Sequence, residues 1–447
     1  MTRRMTSLAV LAVFGIAALL SGCGGSVKPS PAHMPAVKAA GGSAVASLPQ
    51  EYSGCMRDHG VPRSPDPVDG HITLSPQSGI DTSSPAFQAA SRACAKYGPA
   101  GGTSPASSTR AAAAAPQTWR AFAASLKAAA MAGRFSGSVL VAHDNDTVLD
   151  VGYGFADRAT QAANTPQTQF CIASIGKLFT AVAIGQLAEH GQLAFNAPVG
   201  DYLAGLPASI ADHVTIAELL DMTAGLGNTV LGQSSPPRTL AGMLALIAKE
   251  HPQFTPGAKF SYSNDDYILL GAVVQRLSGE SYASYLRQRI LDPAGMTHTG
   301  YAVYIPERVS GMAHGYALTG PKLTDISDQQ QIANPSGGAY STTGDLLKFA
   351  EALLDHELLT AAMTSTILTP RVNSPQPGGP AVDKYTYGFA YQQINGVTFV
   401  GHNGGTPGYE GQLDIYPRKG YVAVVLTNQD NTMIPAIQRT EAILTNS

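Results

Sequence analysis

Hydrophobic and polar positions change period along the chain, and the changes outline a fold. A helical pattern covers residues 119–131. Two strand-like runs follow, 137–142 and 147–154, with the polar turn Asp144-Asn145-Asp146 joining them as a hairpin. The long middle section reads as mainly helical. One helix opens at Ser174 and is ended by Gly191, and Thr215 with Glu218 has the spacing of a capping box. Strand-like runs return at 387–394, 398–402, 411–416 and 421–427, and a helix over 433–444 comes last. An early hairpin, a helical insertion, late strands and a terminal helix predict an α+β fold. Its antiparallel sheet is flanked by helices, beside a mainly helical subdomain.

The N-terminal pattern is of another kind. Arg3 and Arg4 precede an apolar run over 8–20 that ends in Leu20-Ser21-Gly22-Cys23. A basic start, a short apolar segment and small residues predict a secretory signal over 1–22. The run is too short for a comfortable membrane span. Its ending resembles the bacterial lipobox, which implies lipidation of Cys23 and a chain anchored to the outer face of the cell membrane without spanning it. An ordinary signal peptide with an incidental cysteine is the alternative. Residues 23–50, rich in Ala, Gly, Ser and Pro, read as a tether. A small module over 51–98, a second linker over 99–116 and a large domain over 117–447 complete the division.

Composition narrows the function classes. The 447 residues are 44% hydrophobic and 13% charged, enough to bury a large core. A formal charge of -3 without a dense Lys/Arg run gives no footing for nucleic acid. Export makes disulfides permissible. Cys55 and Cys94 lie in one short segment bounded by linkers, so they are expected to pair. Cys171, in the apolar stretch Phe170-Cys171-Ile172-Ala173, then stays single and reads as a buried structural thiol. The module also carries Cys55-Met56-Arg57-Asp58-His59-Gly60 and a helical pattern over 86–96. It resembles a short cysteine-paired segment of secreted actinobacterial proteins. His59 raises the question of metal, but with no second ligand at a useful spacing it reads as a solvated or capping histidine.

Three short motifs carry candidate chemistry. Ser174-Ile175-Gly176-Lys177 places a hydroxyl and an amine three residues apart, on one face of a helix. Serine is a poor nucleophile until a base takes its proton, and lysine serves only where burial or nearby positive charge lowers its pKa. The helix N-terminus adds N–H groups aimed at developing negative charge. By itself S-x-x-K is weak, since a helix cap beside a solvated lysine looks the same. Tyr262-Ser263-Asn264 adds a tyrosine, whose pKa a nearby ammonium can lower enough for proton relay, and an amide that can hold a substrate carbonyl and the lysine together. His402-Asn403-Gly404, followed by Gly405, ends a strand. A glycine there lets a substrate lie along the strand edge without a side chain in the way. His298-Thr299-Gly300 matches H-x-G as well, but it sits in a turn rather than on a strand and is set aside.

In this order the motifs resemble the serine β-lactamase and penicillin-binding-protein superfamily, for which S-x-x-K is a signature. Y-x-N and the histidine-led third motif point to the branch of class C β-lactamases, DD-peptidases and related esterases. Phe135-Ser136-Gly137-Ser138, Leu219-Leu220-Asp221-Met222 and Gly337-Gly338-Ala339-Tyr340 extend the likeness, which covers residues 117–447. The resemblance implies that Ser174 attacks an amide or ester carbonyl and forms an acyl-enzyme. Lys177 and Tyr262 share the proton work, Asn264 orients the substrate amide, and the N–H groups of Ser174 and Gly405 form the oxyanion hole. His402 stands where many β-lactamases carry lysine, and a neutral imidazole supplies less positive charge. That favours a DD-peptidase-like enzyme or an esterase. A true β-lactamase and a penicillin-binding sensor or scaffold without significant turnover are the alternatives. The expected partner is a small-molecule or peptide substrate such as a cell-wall peptide, with no metal or organic cofactor. The oligomeric state is not legible.

Overall fold

The computed structural model describes residues 50–59, 61, 62, 64, 90, 94, 116–301, 309, 311–320, 322–327, 333–374 and 384–446. The signal, Cys23, the tether and most of the second linker lie outside these residues. The chain divides into two units, Met1–Gly102 and Thr103–Ser447. Among the described residues no helix is long and apolar enough to cross a membrane.

In the first unit, helix α1 (Gln50–Asp58) carries Cys55, which is disulfide-bonded to Cys94. The Cys94 N–H donates to the Ala90 carbonyl at 2.9 Å, one turn of the helix expected over 86–96; the rest of that helix lies outside the described residues. Met56, Val61, Ala90 and Cys94 form a small buried cluster.

The second unit is built on an eight-stranded sheet. After α2 (Gln117–Met131) come β1 (Gly137–His143) and β2 (Asp146–Tyr153), then the short β3 (Phe170–Ala173) and α3 (Lys177–Glu189). Helix α4 (Asn264–Ser278), β4 (Ala339–Ser341) and α5 (Thr343–Leu354) lie in the middle section. The late strands are β5 (Val372–Asn373), β6 (Lys384–Tyr385), β7 (Ala390–Ile394), β8 (Val397–Thr406), β9 (Tyr409–Tyr416) and β10 (Tyr421–Thr427), before α6 (Met433–Thr445). Their order across the sheet is β5-β6-β7-β8-β9-β10-β1-β2, and every pairing is antiparallel. The first hairpin therefore closes against the last strand, Val139 opposite Val425, which brings the two ends of the domain together.

Alternation explains the layering. Val139 and Val141 on β1, with Val425 on β10, point to one face and pack against Trp119 and Phe122 of α2 and Ile437 of α6. Leu140 and Ala142, with Val424 and Leu426, point the other way, into a larger core with α3, α4 and α5. Residues 177–187 of α3 are all buried, so this helix is apolar around its whole circumference.

The expected hairpin, capping box and terminal helix are all present, the box with both of its reciprocal bonds. Two boundaries differ. Residues 170–173 form a strand that pairs with one edge of β4, whose other edge pairs with Gly300–Tyr301, in a separate small sheet. The helix expected from Ser174 begins as a single 3-10 turn, Ser174–Gly176, and becomes α-helical only at Lys177.

Candidate active site

Each motif stands at the end of an element packed into the core. Ser174 follows β3 directly, after Ala173, whose φ of 43° and ψ of -126° are strained for a residue with a side chain. The sharp turn puts Ser174 at the surface end of the buried helix α3. Tyr262-Ser263-Asn264 straddles the N-cap of α4. The Ser263 hydroxyl accepts from the Asp266 N–H at 3.0 Å and donates to the Gly227 carbonyl at 2.8 Å. The cap thus fixes Tyr262 just outside the helix and Asn264 at its first turn. His402 lies on β8, where β7 runs alongside only residues 397–401. Residues 402–406 pair with β9 on one side and leave the other edge toward the cleft.

These residues converge. The Tyr262 hydroxyl donates to Ser174 Oγ at 2.8 Å, and Lys177 Nζ lies 3.1 Å from the same oxygen. Lys177 Nζ donates to Asn264 Oδ1 and to the Ser336 carbonyl, both at 2.7 Å. Lys177 is fully buried, no carboxylate among the described residues forms an ion pair with it, and burial holds its pKa well below the ordinary lysine value, although Asp266 opposes this. The amine thus faces three oxygens, Asn264 Oδ1, the Ser336 carbonyl and Ser174 Oγ, and its lowered pKa suits it to take a proton from Ser174.

Tyr262 departs from expectation. Burial pushes its hydroxyl up to about 12, against a smaller lowering by the Ser174 hydrogen bond. Tyr262 is therefore a protonated donor at neutral pH.

His402 is 2% exposed, and burial followed by the nearby Lys177 lowers its pKa to about 3. Its Nδ1 faces the Asn403 carbonyl and its Nε2 lies 3.0 Å from the Tyr385 hydroxyl. The imidazole is therefore neutral, with the proton on Nδ1 and Tyr385 donating to Nε2.

The two glycines differ. A Cβ on Gly404 would lie 2.2 Å from the Ile172 carbonyl oxygen and 3.1 Å from the Ser174 nitrogen, whereas one on Gly405 would meet nothing within 4 Å. Gly404 therefore serves close packing of β8 on the nucleophile's own backbone, rather than clearance for a substrate. That packing brings the Gly405 and Ser174 backbones together at the mouth of a cleft of about 370 Å³, lined also by Leu231, Tyr262, Asn264, Tyr385 and Asn403.

Three participants were not foreseen. The Ser336 carbonyl is aimed by an Asx turn, in which Asn334 Oδ1 accepts from the Ser336 N–H at 2.8 Å and from its hydroxyl at 2.6 Å. Tyr385 supports His402. Asn228 Oδ1 accepts from both the backbone N–H and Nδ2 of Asn264, at 2.8 and 2.7 Å. Its loop hangs on Asp265, which accepts from the N–H groups of Thr229 and Val230 at 2.5 and 3.3 Å. No local sequence pattern announces a carbonyl, or a partner 36 residues away.

The remaining candidates fall elsewhere. His298 sits in an exposed turn with its N–H on Asp345, away from the cleft lining. Cys171 is buried and its thiol is pushed up to about 11, as suits a structural thiol. His59 stands beside the Cys55–Cys94 pair, its Nδ1 3.7 and 3.9 Å from the two sulfurs. Cys55 stands one helical turn from His59, its sulfur engaged in the disulfide.

A serine held between a buried lysine and a tyrosine, under a glycine-lined strand edge, is a serine hydrolase centre. The chain belongs to the Beta-lactamase family, which it matches over residues 120–445. It is 28% identical over 309 residues to penicillin-binding protein 4 of Amycolatopsis lactamdurans, covering 65% of this chain and 80% of the relative. The crystal structure of a penicillin binding protein from Bacillus halodurans is 32% identical, with a TM-score of 0.63 over 72% of this chain and 99% of that one. The D-amino acid amidase of Ochrobactrum anthropi SV3 shares the fold at 21% identity, with a TM-score of 0.65 over 74% of this chain and 98% of that one.

Proposed function

We propose that the domain hydrolyses neutral amide or ester carbonyls of peptide-like substrates through an acyl-enzyme on Ser174. The observation that carries this is the position of Ser174 Oγ, 2.8 Å from the Tyr262 hydroxyl and 3.1 Å from the Lys177 amine. Lys177 takes the Ser174 proton as Oγ attacks the carbonyl carbon. The N–H groups of Ser174 and Gly405 stabilise the oxyanion. On collapse the leaving amine or alcohol receives a proton through Tyr262, which Lys177 replenishes, and water then resolves the ester by the reverse relay.

The charge state of the cleft supports an amidase or esterase type over a β-lactamase or carboxypeptidase. Both of those recognise a substrate carboxylate. The described residues lining the cleft include no lysine or arginine, and His402 is held neutral by burial; burial also lowers the pKa of Lys177 behind them. A membrane anchor at Cys23 and cell-wall peptides as the substrate pool belong to the same proposal, supported by the signal-like N-terminus.

The test compares turnover of a D-amino acid amide and an aryl ester with an acyl-D-Ala-D-Ala peptide and a chromogenic cephalosporin, using wild type and Ser174→Ala. Turnover of the first two, lost in the variant, supports the reading. Preference for the carboxylate-bearing substrates would overturn it. The anchor is tested by fatty-acid labelling that Cys23→Ala should abolish.

A further inference from the structure

We propose that the N-terminal module is a redox-gated metal site. Once the Cys55–Cys94 bond is reduced, Cys55 Sγ, Cys94 Sγ and His59 Nδ1 together bind a zinc-type divalent cation. The three ligand atoms lie within 4.8 Å of one another. In a tetrahedral zinc site, Zn–S of about 2.3 Å and Zn–N of about 2.0 Å set sulfur and nitrogen roughly 3.6 Å apart. His59 Nδ1 is already 3.7 Å from one sulfur and 3.9 Å from the other, so the imidazole stands at ligand distance from both. Only the two sulfurs have to part, which rotation of the cysteine side chains provides.

The backbone is prepared for this. Cys55 lies on α1 and His59 directly follows its last residue, its N–H still bonded to the Cys55 carbonyl at 3.1 Å, so the two stand one helical turn apart, the neighbour relation that helical metal sites use. Cys94 follows from a helical turn and is buried with Met56, Val61 and Ala90, apolar contacts that do not depend on the disulfide. His59 Nδ1 also lies 2.9 Å from the Cys55 carbonyl, a bond the ring gives up on turning to the metal. Its proton then resides on Nε2, and because His59 is exposed that nitrogen can meet water. The exposed side also leaves a fourth coordination position for water or an outside ligand, as in open rather than closed zinc sites.

The steps balance. A dithiol reductant supplies two electrons and two protons, giving two cysteine thiols and its own cyclic disulfide. A divalent cation then displaces both thiol protons to solvent, so two thiolates neutralise its charge. Disulfide and metal exclude each other, and the redox state of the surroundings selects between them.

The test uses the whole chain carrying Cys23→Ser and Cys171→Ser, so that no other thiol competes. After reduction with a phosphine and removal of the reductant without air, cobalt(II) is titrated and its thiolate charge-transfer and tetrahedral d–d bands are followed. One equivalent bound by the reduced protein, none by the oxidised protein, release of two protons and displacement by zinc are expected. His59→Ala keeps the disulfide and both thiols, so its folding is not at issue; it should weaken binding by at least about 10- to 100-fold, the cost of losing even an outer-shell partner. Tetrahedral cobalt that His59→Ala binds as tightly as the parent would overturn the site, leaving an unspecific dithiol. So would a reduced parent that binds no cobalt, whether its helical circular dichroism is kept or lost.

Discussion

Gly404→Ala and Gly405→Ala are neighbouring substitutions of equal size, and the structure separates them sharply. The methyl group added by Gly404→Ala would lie 2.2 Å from the Ile172 carbonyl oxygen and 3.1 Å from the Ser174 nitrogen. Ordinary contacts between non-bonded heavy atoms are about 3.5–4.0 Å, so β8 must retreat from β3 by about 1 Å or more. Both obstacles are backbone, and no side-chain rotation can relieve them. The retreat carries the Gly405 N–H away from the oxyanion position, where a donor is useful only at about 2.7–3.1 Å. Losing one such donor costs about 100- to 1,000-fold in rate, roughly 3–4 kcal/mol. Overpacking should also remove about 1–3 kcal/mol of stability. The methyl group added by Gly405→Ala meets nothing within 4 Å, so acylation by a small reagent should stay within about threefold of wild type, in keeping with an unstrained exposed site. The assay is the second-order rate of Ser174 labelling by a fluorophosphonate, read by intact mass, beside the Tm of each variant. A folded Gly404→Ala protein labelled at the wild-type rate would refute the packing argument. So would a Gly405→Ala protein as impaired as Gly404→Ala.

Three other perturbations read the charge states. Lys177→Met replaces a buried amine with an apolar chain of similar length and should slow Ser174 labelling about 100- to 10,000-fold, the range of a general base; Tyr262→Phe should retain more activity, because Tyr262 donates rather than accepts in the resting state. Labelling rates that rank the two variants the other way would make Tyr262 the base. Because His402 is lowered to about 3, the ratio of labelling by penicillin to labelling by a neutral ester should be flat from about pH 5 to 8, whereas a histidine near 6.5 would raise it on the acid side. Asp414 is raised to about 8 by burial and Glu441 to about 7 by the same cause. Their neutral forms are favoured in the folded state, so the stability they support is complete below about pH 4 and is lost as pH rises through about 7–8. Thermal unfolding across that window should show wild type losing stability with rising pH and Asp414→Asn losing less; equal slopes would exclude Asp414 from the effect.

What the sequence revealed was periodic or local. The hairpin over Gly137–Tyr153, the late strands and α6 each carry a complete hydrophobic pattern within one segment, and all are present near the expected bounds. The residue pairs at Ser174/Lys177 and Thr215/Glu218 were legible because helix geometry alone brings such positions together. Residues 170–173 failed that test. Four apolar residues suit a buried strand or the approach to a helix, and only their pairing with β4, far along the chain, decides it. The same limit hid Asn228, Ser336 and Tyr385, each of which acts through hydrogen bonds to residues far along the chain.

The least legible property was charge, and it is the one on which function turns. The three motifs suggest a lysine that needs a lowered pKa to act, a neutral imidazole, and a tyrosine whose pKa a nearby ammonium lowers. Only the tyrosine goes the other way. Enclosure disfavours every charged form, so it lowers Lys177 and His402 and raises Tyr262. Asn264 Oδ1 and the Ser336 carbonyl hold the Lys177 amine beside Ser174, and those acceptors are fixed by a helix cap and an Asx turn. A cleft whose described lining carries no lysine or arginine and whose histidine is neutral is poorly equipped to attract a substrate anion, which is the physical ground for proposing neutral amides and esters as its substrates.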